Sequence, residues 1–394
     1  MKRTDCRHFN GYKPCVKNAE CNTNCPHFEK PMTSILLVHL GAMGAVLRST
    51  SLLQSIKQKY PNSLITWITE ESTKPLLSNN PFIDKVLTLS TRDLLILSAL
   101  KFDIGFFIDK SPEVAGILKM TQPTQCWGFT ALPENGGIVP LTHSAQELWE
   151  IGLSNEKKFF INKKTEIQLI AEALELPYKR DEYILKLTHD EIILTQLRRR
   201  DWSEQGKKIL LGFNTGTSGV LPQKTIADQV WVDMILQLSH QLEKKGWLYQ
   251  FVLLGGGPLD HQRNEMIAQH CSHLNLICSP TLNGLRDGIC STNAVDLVIT
   301  GDSLGMHMAV ALKKYVIAWF GPTCAHEIDL LENGVKIESS FSCSPCWKRT
   351  CEIAKPCNQL VEINKIIDSV TKYILLNYCH QQPLILNQNE FSKN

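Results

Sequence analysis

A β-rich run that ends in glycines and passes straight into a helical segment is the tightest constraint this chain carries. Ser34-Ile-Leu-Leu-Val-His-Leu meets the turn Gly41-Ala-Met-Gly44, and an apolar-periodic segment from Val46 to Tyr60 follows it. Further runs recur at helix-length spacing: Ile65-Thr-Trp-Ile-Thr, Val86-Leu-Thr-Leu and Ile104-Gly-Phe-Phe-Ile-Asp. Strands separated by helices imply a parallel sheet covered on both faces. A second series starts near Lys208, with Ile209-Leu-Leu-Gly-Phe-Asn, a helix from Val230 to Lys244, and Tyr249-Gln-Phe-Val-Leu-Leu-Gly-Gly-Gly. Val295-Asp-Leu-Val-Ile-Thr-Gly-Asp and Tyr315-Val-Ile-Ala-Trp-Phe-Gly-Pro close it. The chain therefore reads as α/β, two doubly wound domains in tandem, with a polar connection around Ala171 to Leu194.

Its 394 residues suffice for two such cores. A hydrophobic fraction of 43% with 20% charged residues fits a globular protein, and 41 basic against 39 acidic residues leave a net charge of +2. That balance, with the basic residues scattered, gives no footprint for nucleic acid. No apolar run reaches the roughly 18 residues of a membrane span, and Met1-Lys-Arg-Thr-Asp-Cys lacks the apolar core of a signal peptide. The expected location is the cytoplasm, as a monomer or a homo-oligomer. The final residues, 381–394, are polar and read as a flexible tail.

Ligands of open α/β sheets sit beyond the carboxyl ends of the strands, and three strand ends in the second half carry suitable groups. Asn214-Thr-Gly-Thr-Ser-Gly219 offers hydroxyls and backbone amides for phosphate oxygens, with Lys224 just beyond. Gly255-Gly-Gly-Pro-Leu-Asp260 permits close backbone approach, and Asp260 can accept from hydroxyls. Thr300-Gly-Asp-Ser-Leu-Gly-Met-His307 turns into a helix whose start favours an anion.

With Leu40-Gly-Ala-Met-Gly-Ala-Val-Leu-Arg-Ser-Thr near the start and Phe320-Gly-Pro-Thr near the end, these segments resemble glycosyltransferase family 9. This is the heptosyltransferase-like group with the GT-B fold, in which two Rossmann-like domains face each other across a cleft. The resemblance runs from Ser34 to about Ile374. It implies an acceptor domain at 33–185 and a domain at 186–380 holding an ADP-heptose-type donor, the acceptor being a saccharide or a protein. By position it places Thr215, Gly216, Thr217 and Lys224 at the donor phosphates, Asp260 near the adenosine ribose and Asn283 beside the base. Gly301, Asp302, Ser303, Leu304, Gly305, Met306 and His307 fall around the sugar-diphosphate. Gly44 and Arg48 would meet an acceptor or a phosphate. Such enzymes invert the anomeric centre and need no catalytic metal; an acceptor hydroxyl attacks the anomeric carbon with help from a general base.

One position departs from the pattern. The family's first glycine loop reads Gly-Asp-Val, its aspartate being the general base, whereas this chain has Gly44-Ala45-Val46. A methyl group accepts no proton. The base lies elsewhere, or catalysis is lost and the chain only binds nucleotide sugar, or the aspartate has been replaced deliberately to hold a substrate complex. Asp109, at a strand end beside Lys110, is the candidate substitute; the alternative is a strand-end carboxylate with a capping role.

Eight of the 14 cysteines form two groups. Cys343-x2-Cys346-x4-Cys351-x5-Cys357 has the compactness of a four-sulfur zinc or iron site, with Lys348 and Arg349 to offset thiolate charge. Cys6-x8-Cys15-x5-Cys21-x3-Cys25, with His8 and His27 nearby, is a looser knuckle within 1–32. The C-terminal finger resembles that of protein-modifying autotransporter heptosyltransferases, which holds iron. Free thiols or disulfides are the alternatives, the latter disfavoured in a reducing compartment. A metal- or redox-sensing protein on the same scaffold is the remaining alternative.

Overall fold

The computed structural model describes residues 1–378, and the tail expected at 381–394 lies outside the described residues. The first sheet comprises β1 (Thr33–Val38), β2 (Ser63–Thr69), β3 (Lys85–Thr88), β4 (Ile104–Phe107), β5 (Gln125–Ala131) and β6 (Ile138–Pro140), in the order β3-β2-β1-β4-β5-β6. Only the β5–β6 pair is antiparallel. The second comprises β7 (Ile209–Asn214), β8 (Tyr249–Leu254), β9 (Ile277–Cys278), β10 (Leu297–Gly301), β11 (Tyr315–Phe320) and β12 (Gly334–Glu338), all parallel, in the order β12-β11-β10-β7-β8-β9. Counted within its own half, each sheet has the same doubly wound strand order.

Period-two alternation explains why the central strands are apolar throughout. Ile35 and Leu37 of β1 enter one core layer while Leu36 and Val38 enter the layer on the opposite face. In β7, Leu211 and Phe213 face one layer and Leu210 the other. Every one of these side chains is fully buried, as a strand covered by helices on both sides requires. The expected strands are all present. The strands missed by periodicity, β5, β6, β9 and β12, are short or partly exposed and lie toward sheet edges, where no continuous apolar run is needed.

Two local expectations change. The single helix read over Val46 to Tyr60 is two helices, Met43–Ser49 and Leu52–Lys59. Thr50 and Ser51 interrupt it, their hydroxyls donating to the carbonyls of Leu47 and Arg48, the latter at 2.9 Å. The connection expected from Ala171 begins inside the helix Glu166–Ala173 and ends inside the helix His189–Trp202, so the non-helical link is 174–188.

The two halves meet through a small apolar layer of Leu47, Leu76, Leu185, Ile289 and Met308. Arg180 adds ion pairs to Asp329 at 2.7 Å and Glu332 at 3.0 Å. The first 32 residues contain no helix or strand and dock on the first sheet, where Arg7 donates to the Ser63 carbonyl at 2.6 Å and pairs with Asp84 at 3.1 Å. Among the described residues no helix is long and apolar enough to cross a membrane.

One tight contact between the halves joins the helices Met43–Ser49 and Leu304–Ala311. A Cβ on Gly44 would stand 2.4 Å from His307 Cδ2, and His307 is buried. Alanine normally gains about 1 kcal/mol over glycine inside a helix. Here the clash should reverse the sign, so Gly44→Ala is expected to cost about 1–3 kcal/mol, read as a lower denaturation midpoint. A midpoint equal to or above the parent's would show that the halves can separate freely at this contact.

Candidate active site

A cleft of about 980 Å³ lies between the two halves, bordered by the ends of both sheets. Its N-terminal wall is the turn after β1. Asp109, just past β4, holds that turn: its Oδ1 accepts from the Gly41 N–H at 2.9 Å and its Oδ2 from the Leu40 N–H. Gly41 is required there because a Cβ would come within 2.7 Å of Asp109 Oδ1. Ala45 also lines this wall, as does Arg48, which is buried and ion-paired with Glu166. Burial opposes charge on both partners, yet the pairing wins, holding the Arg48 pKa above and the Glu166 pKa below its ordinary value. Lys110 points into the same space, donating to the Leu148 carbonyl at 2.6 Å, and burial brings its pKa down to about 8.

Three strand ends of the second sheet build the opposite wall. Asn214 stands at the end of β7, its amide donating to the Gly216 carbonyl at 3.1 Å, Thr300 Oγ1 at 3.1 Å and Ser303 Oγ at 3.0 Å. This amide ties two of the strand-end turns together, and Gly305 is what lets the next helix pass it, since a Cβ there would lie 2.3 Å from Asn214 Oδ1. Ser303 caps that helix by accepting from the Met306 N–H. Lys224 reaches the cleft from a short 3-10 turn and pairs with Asp302 at 3.0 Å. Asp302 is largely buried, which alone would raise its pKa, but pairing with Lys224 holds it low. Asp260 accepts from the Gly256 N–H and from Arg263, each at 2.9 Å.

Of the residues expected at the site, Gly44, Ala45, Arg48, Asp109, Gly216, Thr217, Lys224, Asp260, Asp302, Ser303, Leu304, Gly305 and His307 line this one cleft. Four others do not. Thr215 is buried with its hydroxyl donating to Asn264 Oδ1 at 2.6 Å, because its side chain points into the sheet's helical cover. Met306 belongs to the domain core. Gly301 is packed against the Lys224 backbone, 2.7 Å from the position a Cβ would take. Asn283 is exposed, while its neighbours Leu282 and Gly284 line the cleft.

Lys110, Glu166, Glu327 and Trp347 line the cleft without having been anticipated. Glu327 follows the Gly-Pro-Thr turn of β11 and was within reach of the strand-end rule. Glu166 starts a helix and Trp347 sits in the cysteine loop, so no local signal marks either. Several polar atoms on these walls are buried without a partner: Arg48 Nε, His307 Nδ1 and Thr281 Oγ1. Orphans gathered in one cleft mark a place where a polar ligand completes the bonding.

The cysteine groups behave differently from the cleft. Cys6, Cys15, Cys21 and Cys25 surround one cavity of about 20 Å³, with His8, His27 and Phe28, and the Asn18 amide donates to Cys25 Sγ at 3.6 Å. In the C-terminal group, burial and then the neighbouring Cys346, Cys343 and Cys351 push the Cys357 thiol up to about 11, so the four sulfurs share one neighbourhood. Among the described residues, no three of these side chains are drawn into a closed ligand set.

His307 provides a test of the cleft's electrostatics. Burial, then Arg48, bring its pKa down to about 3, so the ring is neutral at pH 7. In the unfolded chain it takes up a proton near pH 6.5. Its contribution is therefore intact above pH 6.5 and lost progressively as pH falls toward 3. His307→Gln should flatten the decline of melting temperature between about pH 7 and pH 5. An identical pH dependence in both proteins would mean that His307 is hydrated.

Residues 157–356 match the model of glycosyltransferase family 9, the heptosyltransferases. Lipopolysaccharide heptosyltransferase 1 of Campylobacter coli is 33% identical over 310 residues, spanning 73% of this chain and 84% of the relative. A family 9 glycosyltransferase of Veillonella parvula superposes with a TM-score of 0.70 at 16% identity, covering 89% of this chain and 99% of the other. The ADP-heptose lipopolysaccharide heptosyltransferase II of Escherichia coli does so at 0.63 and 17% identity, covering 87% and 99%. Two doubly wound halves around a cleft are thus the GT-B arrangement, and the chain belongs to glycosyltransferase family 9 as a heptosyltransferase-type glycosyltransferase.

Proposed function

We propose that the chain transfers a heptose-like sugar, with inversion, from an ADP-sugar held by its C-terminal half to a hydroxyl of a saccharide or protein acceptor lying on the N-terminal wall. The observation that carries this reading is the convergence of Lys224, the glycine-rich turns at Gly216 and Gly255 to Gly257, and the helix start at Ser303 on one side of the cleft. A nucleoside diphosphate needs this combination: backbone N–H groups that approach closely, a helix start and a mobile cation. The donor class follows the E. coli relative whose name carries ADP-heptose.

In this reading Lys224 leaves Asp302 for the departing diphosphate, whose charge grows as the glycosidic C–O bond breaks. Gly216 and Thr217 sit at the phosphates, and Asp260 offers its remaining lone pairs to the ribose. Leu304 and Gly305 border the sugar-diphosphate, with neutral His307 behind them. Arg48, pinned by Glu166, keeps its unpartnered Nε toward an anion in the cleft. Asp109 acts as a positioning residue, shaping the Gly41 to Gly44 turn through its two backbone bonds. We place the protein in the cytoplasm, where the unpaired thiols of the described residues would persist.

Both cysteine groups are included in the proposal as structural zinc or iron sites. Four sulfurs around one small cavity fit a tetrathiolate, and the N-terminal 32 residues have no regular structure to hold them otherwise. Elemental analysis of the purified chain is expected to give about two equivalents of zinc or iron, or a cluster. A folded, metal-free protein in which all eight thiols titrate would overturn this part.

The donor reading is tested with ADP alone. Lys224→Ala removes the cation and leaves Asp302 unpaired beside the phosphates, so ADP binding should weaken at least about tenfold, or ~1.4 kcal/mol. Calorimetry showing equal affinity in both proteins would remove Lys224 from the donor site.

A further inference from the structure

We propose that Glu327 is the general base of this chain, the carboxylate that takes the proton of the attacking hydroxyl in place of the side chain missing at Ala45. This rests on the sugar-transfer reading above and supplies the group which that reading lacks.

Five carboxylates line the cleft, and four are committed. Asp109 accepts two backbone N–H groups, Glu166 is paired with Arg48, Asp260 accepts from Gly256 and Arg263, and Asp302 holds Lys224. Donors of this kind occupy the lone pairs that a proton acceptor must offer. Glu327 differs in degree: it forms a long ion pair with Lys158 Nζ at 3.6 Å, and among the described residues no donor lies within hydrogen-bond distance of its carboxylate. Its side chain is only 12% exposed.

Position agrees with this freedom. The turn Ala325–Glu327 follows the Gly321-Pro-Thr end of β11, so it belongs to the donor half, yet it faces the acceptor half. Lys336 pins the turn by donating to the carbonyls of Ala325 at 2.9 Å and Ile328 at 2.8 Å. His326 Nε2 reaches the Lys158 carbonyl across the boundary at 3.1 Å, and Lys158 in turn lies 3.6 Å above the Trp347 ring. The charged groups facing Glu327 are Lys158, Arg48, Lys110 and Glu166 from the N-terminal half and Asp302 from its own, with the Cys324 thiol beside them. Burial outweighs the cations among them and pushes the Glu327 pKa up to about 7. A base poised near the working pH transfers protons most effectively.

The step balances without a further reactant. Glu327 takes the hydroxyl proton as the acceptor oxygen forms its bond to the anomeric carbon from the face opposite ADP. The bond from that carbon to the phosphate oxygen breaks, its electron pair stays on the phosphate, and ADP departs with one additional negative charge. The carboxylic acid then returns its proton to solvent.

The test follows ADP release from ADP-heptose with water as the acceptor, between about pH 5 and pH 9, beside calorimetry with ADP. Glu327→Gln should lower kcat by about 10²- to 10⁴-fold and leave ADP affinity within about twofold. The parent's kcat should fall below a limb near pH 7, where the base protonates, and Glu327→Gln should lose that limb. Glu327→Asp, one methylene shorter, should retain part of the rate and keep a limb, which a merely structural role would not require. Ala45→Asp should gain less than about tenfold, because a base is already present. Parent-like kcat and limb in Glu327→Gln overturn the proposal, as does a gain of about 10² or more in Ala45→Asp. A parent that binds ADP but never releases it from ADP-heptose also overturns it. If the parent fails to bind ADP, the donor reading itself is lost, and this proposal with it.

Discussion

The contact of Gly44 with the His307 ring decides how near the two halves can stand, and the cleft takes its shape from that distance. Both residues lie in the first turns of helices that follow strand ends, so each half presents a turn to the other rather than a flat helix face. Without a side chain at Gly44 the helices close up, and His307 loses its water. The neutral ring follows from this exclusion of solvent, while charge pairing keeps the Asp302 pKa low beside Lys224 and holds the buried Arg48 to the half-exposed Glu166. Interactions that would be weak in water become decisive there.

The cleft also divides its charges by task. On the C-terminal wall Lys224 is paired with Asp302. Along the N-terminal wall, Asp109 and Glu166 are spent on geometry, fixing a turn and an arginine. Such commitments are costly for buried groups unless paired, which is why they are satisfied within the protein. In the sugar-transfer reading proposed above, a general base absent from position 45 is therefore not replaced by whichever acid is nearest. The role calls for an acid with unspent lone pairs, and that comes from the donor half, carried on a turn that Lys336 fixes.

The two cysteine segments meet this arrangement at different places. The N-terminal knuckle docks on the first sheet through Arg7. The C-terminal loop reaches the cleft itself, where Trp347 forms part of the lining under Lys158. A cross-link among its sulfurs would bear on the position of Lys158, and through it on the acceptor side.

Much of this architecture can be read locally. Two-residue alternation in β1 and β7, glycines after strand ends and hydroxyls before helices are short-range patterns, and they yield the tandem doubly wound domains, the bound edge of each sheet and most of the cleft's residues. The departure at Ala45 is visible only against the family pattern that the neighbouring residues resemble. Partnership is not local. Arg48 and Glu166 are 118 residues apart and Gly41 and Asp109 are 68 apart, so nothing near either position foretells that these acids are occupied. Thr215 was assigned by its neighbours to a phosphate, but its rotation within β7's exit buries the hydroxyl on Asn264. Glu327 follows a strand end and so lies where a ligand is expected, but only burial against the other half leaves its carboxylate without a hydrogen-bond donor in the cleft. Hydrogen-bond capacity is exhausted or spared by contacts in space, and for that reason the chain's pattern sets where the site lies, while the packing of the two halves decides which of its groups remain free to react.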